Sequence, residues 1–366
     1  MVRIWYSIQG DGLGHALRSA VVISHLLQKH ELMITVNAKR PYNFLRSKFG
    51  DRVHLMKGET FLYKDNKVLV GKSIKKYLKE RPKYLKENIK NLFPIIIEFK
   101  PQIIMNDFES EAHYFSMITK IPCISLDNIH ILTECYVQVP TNTKFGLKGV
   151  TTLIKILHPR SDEYIIPAFA NATPKRKNKT HLTKPILREE ILKLKPEEKD
   201  FVLVYQTTKT NKDLTKILSK RKQKYKIYGM GKKKKTNNLE FKDFNEKKFM
   251  NDLRKAKYVI VNGGFTVITE ALYLKKPVLA VPIENQFEQE FNGFTLRNRG
   301  YGDYTQDVSS YDFDGFEMRL KFFKHNLKKL KKWDNSHALK IVDRLINKHS
   351  KRILKFEKIN EILKRW

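Results

Sequence analysis

Cysteine is nearly absent: Cys123 and Cys135 are the only two in 366 residues. Two cysteines provide neither a disulfide framework nor a metal-ligand spacing. A disulfide-stapled secreted scaffold and a zinc module are therefore excluded, and a reducing, cytoplasmic setting is expected. Long apolar runs are missing as well; no window approaches the roughly 18 apolar residues that a membrane-crossing helix requires. The first strand pattern begins at Val2, so no signal peptide is expected. Acidic charge is scarce: 38 Asp and Glu stand against 72 Lys and Arg, a formal net charge of +34. Such an excess suits nucleic acid, an anionic membrane surface or a polyanionic substrate, or is the general surface of a lysine-rich protein. The lysines are scattered along the whole chain, which favours the general surface. The runs Lys232–Lys235 and Lys328-Lys329-Leu330-Lys331-Lys332 keep peripheral contact with the inner face of a membrane in play. No helix-turn-helix, zinc or ribonucleoprotein motif occurs, so a nucleic-acid partner is not expected. What is present is core-forming material, 41% hydrophobic, in a chain long enough for two domains.

Two stretches have the same grammar. In the second half, Tyr258-Val259-Ile260-Val261 reads as a buried parallel strand. Asn262-Gly263-Gly264 follows, and a helical pattern starts at Thr266. Glycines let a backbone approach an anion, and a helix start points unpaired N–H groups at it, so this is a phosphate-binding geometry. Glu270 sits one turn further, where a carboxylate can accept both hydroxyls of a ribose. A second strand, Val278–Pro282, leads to a loop bearing Gln286, Glu288, Gln289 and Asn292, side chains suited to sugar hydroxyls. In open α/β sheets ligands lie at the carboxyl ends of strands, where all of these fall. At the N-terminus a strand from Val2 to Ile8 meets Gly10-x-Gly12-x-Gly14-His15 and a helix with apolar Ala16, Leu17, Ala20, Val21, Ile23 and Leu27. The spacing is not that of a dinucleotide fingerprint, and no acid ends the second strand, which runs into Asn37-Ala38-Lys39-Arg40. A nicotinamide or flavin enzyme is not expected.

The ordered set Gly-Gly, Glu-Ala-Leu, Pro, Gln and Asn resembles the donor-nucleotide site of GT-B glycosyltransferases. Glycosyltransferase family 28 and related archaeal and bacterial glycosyltransferases are the nearest in pattern. The segment GDGLGHALRS, with Gly10, Gly12, Gly14, His15 and Arg18, is similar to their N-terminal glycine-rich loop. The resemblance implies an α/β fold of two doubly wound Rossmann-like domains facing each other across a cleft, with C-terminal helices crossing back. It implies that Gly263, Gly264, Phe265 and Thr266 receive a diphosphate and that Glu270 grips the ribose. Gln286, Gln289 and Asn292 would then face the donor sugar, with Arg188 on the diphosphate, Thr207 beside the phosphates and Phe244 at the base. His15 would deprotonate the acceptor hydroxyl, since inversion at an anomeric carbon needs a base; otherwise it packs at a helix start. Asp107 would orient His15, or else cap the helix near Glu111. Asn128 and His130 would line the acceptor side, or belong to ordinary loop chemistry.

The implied activity is inverting, metal-independent transfer of a hexose from a nucleotide sugar, UDP-linked by resemblance, to a hydroxyl acceptor. No cofactor and no metal ligand set are expected. A lipid-linked or surface-glycan precursor is the suggested acceptor class. Asp312-Phe313-Asp314, the one Asp-x-Asp, lies beyond the donor motif and reads as a helix start. The expected organisation is an acceptor-side domain over 1–170, a polar linker over 171–184, a donor domain over 185–335 and basic helices over 336–366. Two alternatives share this sequence: a UDP-sugar 2-epimerase using the same Glu270 cradle, and a basic nucleic-acid-binding protein without catalysis.

Overall fold

The computed structural model describes residues 1–58, 62–64, 67–140, 144–206, 212–231, 238–306 and 313–350. Thr207, the run Lys232–Lys235, Asp312 and the apolar face from Ile353 to Trp366 lie outside them.

Seven strands build the first sheet: β1 (Arg3–Ile8), β2 (Glu31–Val36), β3 (Val53–Leu55), β4 (Ile103–Asp107), β5 (Cys123–Leu126), β6 (Glu163–Pro167) and β7 (Thr180–Thr183). All pair in parallel, in the order β7-β6-β5-β4-β1-β2-β3. Six more build the second: β8 (Val202–Tyr205), β9 (Tyr225–Tyr228), β10 (Leu239–Lys242), β11 (Val259–Val261), β12 (Val278–Ala280) and β13 (Gly302–Tyr304). They too are parallel, in the order β10-β9-β8-β11-β12-β13. Both are doubly wound, with a reversal of strand order beside β1 and β8 respectively. Eight helices bear on the argument: α1 (Gly14–Leu26), α2 (Lys39–Phe49), α3 (Ser110–Thr119), α4 (Lys144–Leu157), α5 (Glu246–Lys255), α6 (Phe265–Tyr273), α7 (Phe287–Arg299) and α8 (Ser336–Ser350).

Burial on both faces explains why the strands are near-continuous apolar runs. In β1, Ile4, Tyr6 and Ile8 pack into one core with Ile23 and Leu26 of α1, while Trp5 points into another with Ile104 and Phe115. The second sheet is covered by α6, through Ile268, Ala271 and Leu272, against Leu203, Val259, Val261 and Val278. The chain then returns. Ala338, Ile341, Val342, Leu345 and Ile346 of α8 join the first sheet's core, not the second's. Each such fully buried aliphatic stabilises the fold by about 1.5–3 kcal/mol. The crossings are tied together: Asn335 accepts from the Leu187 amide at 2.9 Å and donates to its carbonyl at 2.8 Å, and Trp333 donates to the Pro185 carbonyl at 2.8 Å.

One expectation is corrected here. Residues 171–184 are not a linker: Ala172–Pro174 pairs with Cys135–Val137, and β7 extends the first sheet beyond β6. An edge strand tolerates polar residues because one side stays wet. His181 of β7 also pairs with Glu163 of β6 at 3.0 Å.

Candidate active site between the two sheets

A cleft of about 640 Å³ lies where the carboxyl ends of both sheets oppose. On the first wall, the loop after β1 is bound on both sides. The Gln9 amide donates to the Asp107 carbonyl at 2.9 Å, and the Gly10 amide donates to Asn37 Oδ1 at 2.5 Å. A side chain on Gly10 would meet Ala38 Cβ at 2.5 Å, so only glycine permits this approach. The loop delivers His15 to the cleft at the start of α1, where it caps nothing. Its Nδ1 lies 2.7 Å from Asp107 Oδ1. Asp107 is wholly buried and also accepts from Ser19 Oγ at 2.7 Å and from Arg18 Nε and Nη2 at 3.2 and 2.5 Å. The helix-capping alternative for Asp107 fails, because Glu109 is the residue that caps α3, accepting from the Glu111 and Ala112 amides. Burial pushes the His15 imidazole down, but Asp107 more than offsets it and holds the pKa above the ordinary histidine value. Burial likewise raises Asp107, while Arg18 and His15 pull it below the usual carboxylate range.

Phe108 follows with φ of 55°, a left-handed backbone that costs a bulky residue about 1–3 kcal/mol and recurs at functional sites. Its ring stacks on His158 at 3.7 Å and lies 6.5 Å from His15. Asn128 lines the cleft, accepting from Arg18 Nη1 at 2.7 Å and donating to Glu288 of the opposite wall at 2.8 Å. His130 does not line it. That residue is buried on Asp127 at 2.6 Å, so its placement on the acceptor side is corrected: the ring turns inward to pair with the Asp127 carboxylate.

On the second wall, α6 starts at Phe265 behind Gly264, with no side-chain cap and no acid in its first turn. Helix α1 also starts with no side-chain cap and no acid. The two starts confront each other, Thr266 Oγ1 donating to the Gly14 carbonyl at 3.2 Å. Two positive helix ends converge on one space, which favours an anion there. Gly263 has φ of 99°, and a Cβ on it would meet the Gln289 carbonyl at 2.7 Å. It shapes the turn from behind, and so does Asn292, which is buried and donates to the Gly263 carbonyl at 3.0 Å. Asn292 therefore braces the glycine turn instead of facing a sugar. Gln286 and Gln289 line the cleft, with Gln289 Oε1 accepting from the Ile283 amide.

Arg188 and Glu270 both line the cleft, but they are paired with each other. Arg188 Nε and Nη2 donate to the two carboxylate oxygens at 2.7 Å each, and Nη1 reaches Glu246 of α5 at 2.6 Å. Two buried charges pair because leaving either alone is costly. Arg188 thus holds Glu270 in place, in addition to bordering the space where a diphosphate was expected. Burial pushes Glu270 above the ordinary carboxylate value, with Arg188 pulling the other way. Each carboxylate oxygen retains a second lone pair for a hydroxyl. Phe244 stands 36% exposed at the far end, backed by Tyr205 and Phe249. Sequence reasoning missed Arg40, Tyr205, Phe108 and the α4 residues Val150, Leu153 and Leu157, all of which line the cleft. Of these, the i, i+3, i+7 spacing of the α4 residues was the readable signal. Among the described residues, no group of three or more His, Cys, Asp or Glu is placed to hold a metal ion.

Two doubly wound sheets facing each other across such a cleft define the GT-B class of glycosyltransferase fold. The chain belongs to the family described as glycosyl transferase family 1, whose sequence profile matches residues 2–321. An uncharacterized glycosyltransferase of Methanosarcina acetivorans is 26% identical over 337 residues, covering 82% of this chain and 85% of that one. Arabidopsis thaliana UGT89C1 complexed with UDP matches at TM-score 0.62 and 14% identity, over 96% of this chain and all of that one. Acinetobacter baumannii MurG matches at TM-score 0.55 and 13% identity, over 93% and 99%. The protein is a glycosyltransferase. No described helix is long and apolar enough to cross a membrane.

Proposed function

We propose that this glycosyltransferase moves a sugar from UDP to an acceptor hydroxyl with inversion and without a metal ion. The observation that carries the reading is His15 on Asp107, set beside two opposed helix starts across one cleft. His15 uses Nδ1 for Asp107, which leaves Nε2 to take the acceptor proton. The acceptor oxygen then bonds to the anomeric carbon from the face opposite the diphosphate. The carbon–oxygen bond to the diphosphate breaks, and its electron pair leaves with the phosphate oxygen. Charge developing there is met by the N–H groups at the starts of α6 and α1, fixed dipoles that need no reorganisation. Glu270, held by Arg188, accepts the ribose hydroxyls, Phe244 supports the base, and Gln286 and Gln289 face the sugar. The wall beyond His15 is apolar, with Phe108, Leu132, Val150, Leu153 and Leu157. That lining supports an acceptor whose hydroxyl sits on an apolar body, as in a lipid-linked precursor.

Calorimetry with UDP and UDP-sugars, followed by incubation with labelled donor and no acceptor, tests the reading. UDP binding with slow hydrolysis or no turnover is expected. Absence of any nucleotide-diphosphate binding would remove the donor assignment, and a new sugar isomer would instead make the protein an epimerase.

A further inference from the structure

Three arginines line the cleft, and two of them are engaged by carboxylates. Arg18 is held by Asp107 and Arg188 by Glu270 and Glu246. Arg40 is exposed and forms no ion pair among the described residues. It belongs to the first domain, at the start of α2, yet its guanidinium carbon lies 5.4 Å from the ring centroid of Phe244 in the second. Its charge also faces the Tyr205 hydroxyl. Helix stability does not account for it. Lys39 and Arg40 open α2 with no acid in the first turn, placing two cations at the positive end of the helix dipole.

We propose that Arg40 is a base-binding residue delivered from the opposite domain, with the planar base of the donor nucleotide held between the Phe244 ring and the Arg40 guanidinium. The inference rests on the second wall being the donor site. Phe244 suits the role: it is partly exposed, and Tyr205 and Phe249 support its ring at 6.0 and 5.7 Å. Stacked groups sit at van der Waals separation, about 3.5–4 Å, so a base between ring and guanidinium needs about 7–8 Å. The present 5.4 Å is short of that by about 2 Å. An exposed arginine stem supplies that movement by changing rotamer, the head giving up its contacts with the Phe244 face and the Tyr205 hydroxyl for the face of the base. A guanidinium over a base gains both stacking and cation–π attraction, without reading the base edge. With one face of the base on each domain, the bound donor bridges the two walls.

The test is calorimetry of UDP, UMP and inorganic pyrophosphate on the full-length wild type, Arg40→Ala and Arg40→Lys. Arg40→Ala should weaken UDP and UMP by a common factor on the order of 10-fold. Pyrophosphate affinity should stay unchanged, and the melting temperature unchanged or slightly raised. Arg40→Lys should recover little, because an ammonium restores the charge but not the plane. Unchanged UDP affinity in Arg40→Ala overturns the inference. Equal loss for pyrophosphate, or full rescue by lysine, also overturns it by making Arg40 a phosphate ligand. A wild type that binds none of the three overturns the donor reading itself.

Discussion

Two of the histidine–aspartate pairs among the described residues are almost the same object, both made through Nδ1. His15 and His130 each bring Nδ1 to an aspartate, at 2.7 and 2.6 Å, and both aspartates are buried. Asp107 ends β4 and Asp127 follows β5, the neighbouring strand. The difference lies in the other side of the ring. The His15 side chain keeps 14% of its surface exposed and borders the cleft, whereas His130 keeps 2% and its Nε2 is buried without a partner among the described residues. Burial pushes Asp127 up, yet His130 holds it well below the carboxylate range. Strong pairing therefore does not make a base. A proton must also have a route in from substrate, and only one of the two pairs has it.

The largest expected effect would break this comparison outright. His15→Ala should lower turnover by roughly 10²–10⁴-fold and leave UDP affinity nearly intact. His130→Ala should do the reverse. Removing one member of a buried pair strands Asp127 and should cost about 3–5 kcal/mol of stability, with residual folded enzyme turning over normally. Initial rates and denaturant melts of both variants decide it, and a near-normal rate for His15→Ala sinks the base assignment.

A smaller effect separates positioning from contact on the other wall. Glu270→Gln should weaken UDP by about 1.5–3 kcal/mol while keeping part of the hydrogen bonding to Arg188. Glu270→Ala is the harsher change, because it leaves the Arg188 guanidinium with Glu246 alone. UDP affinity that survives Glu270→Gln unaltered would remove the ribose contact.

Next in size is a pH signature. The folded pKa of His15 is held above the ordinary histidine value of 6.5 by Asp107, against the effect of burial. The stability its pairing contributes is thus fully present below 6.5 and lost as pH rises through the folded value. A base acts through its neutral ring, so under the proposed role of His15 the rate should climb across that same window as the stability increment fades. Profiles of kcat/KM and melting temperature for wild type and His15→Ala test the opposition; a rate inflection below 6.5 contradicts it. Smallest of all, excess chelator should change the rate little. Full loss restored by Mg²⁺ or Mn²⁺ would reassign the leaving-group chemistry.

Much of this was legible because local chemistry and global position agree. The strand–glycine–helix units after β1 and β11 are written contiguously. What stayed hidden needed a partner distant in the chain. Glu270 and Arg188 are 82 residues apart, and nothing near either one announces the other. Nor does the loop Asp127-Asn128-Ile129-His130 say which of its side chains turns outward; the structure turns Asn128 to the cleft and His130 away from it. Residues 171–184 looked like a linker because their polar sequence offers no apolar run, although Thr180 and Thr183 are buried once β7 pairs at the sheet edge. Arg40 was read only as the absence of an acid, since its meaning depends on a ring 204 residues later, in the opposite domain.

The return of α8 to the first sheet has a consequence for how the enzyme is made. The first sheet leaves the ribosome early, but one wall of its core consists of Ala338, Ile341, Val342, Leu345 and Ile346. The nascent sheet must therefore wait, with an apolar face uncovered, while the entire second sheet is synthesised. Domains generally fold as units and in order of emergence, and here that order is broken by design of the chain path. A chain that stops before residue 336 lacks a structural wall, although every cleft-lining residue is already present. Arrival of α8 closes the first core.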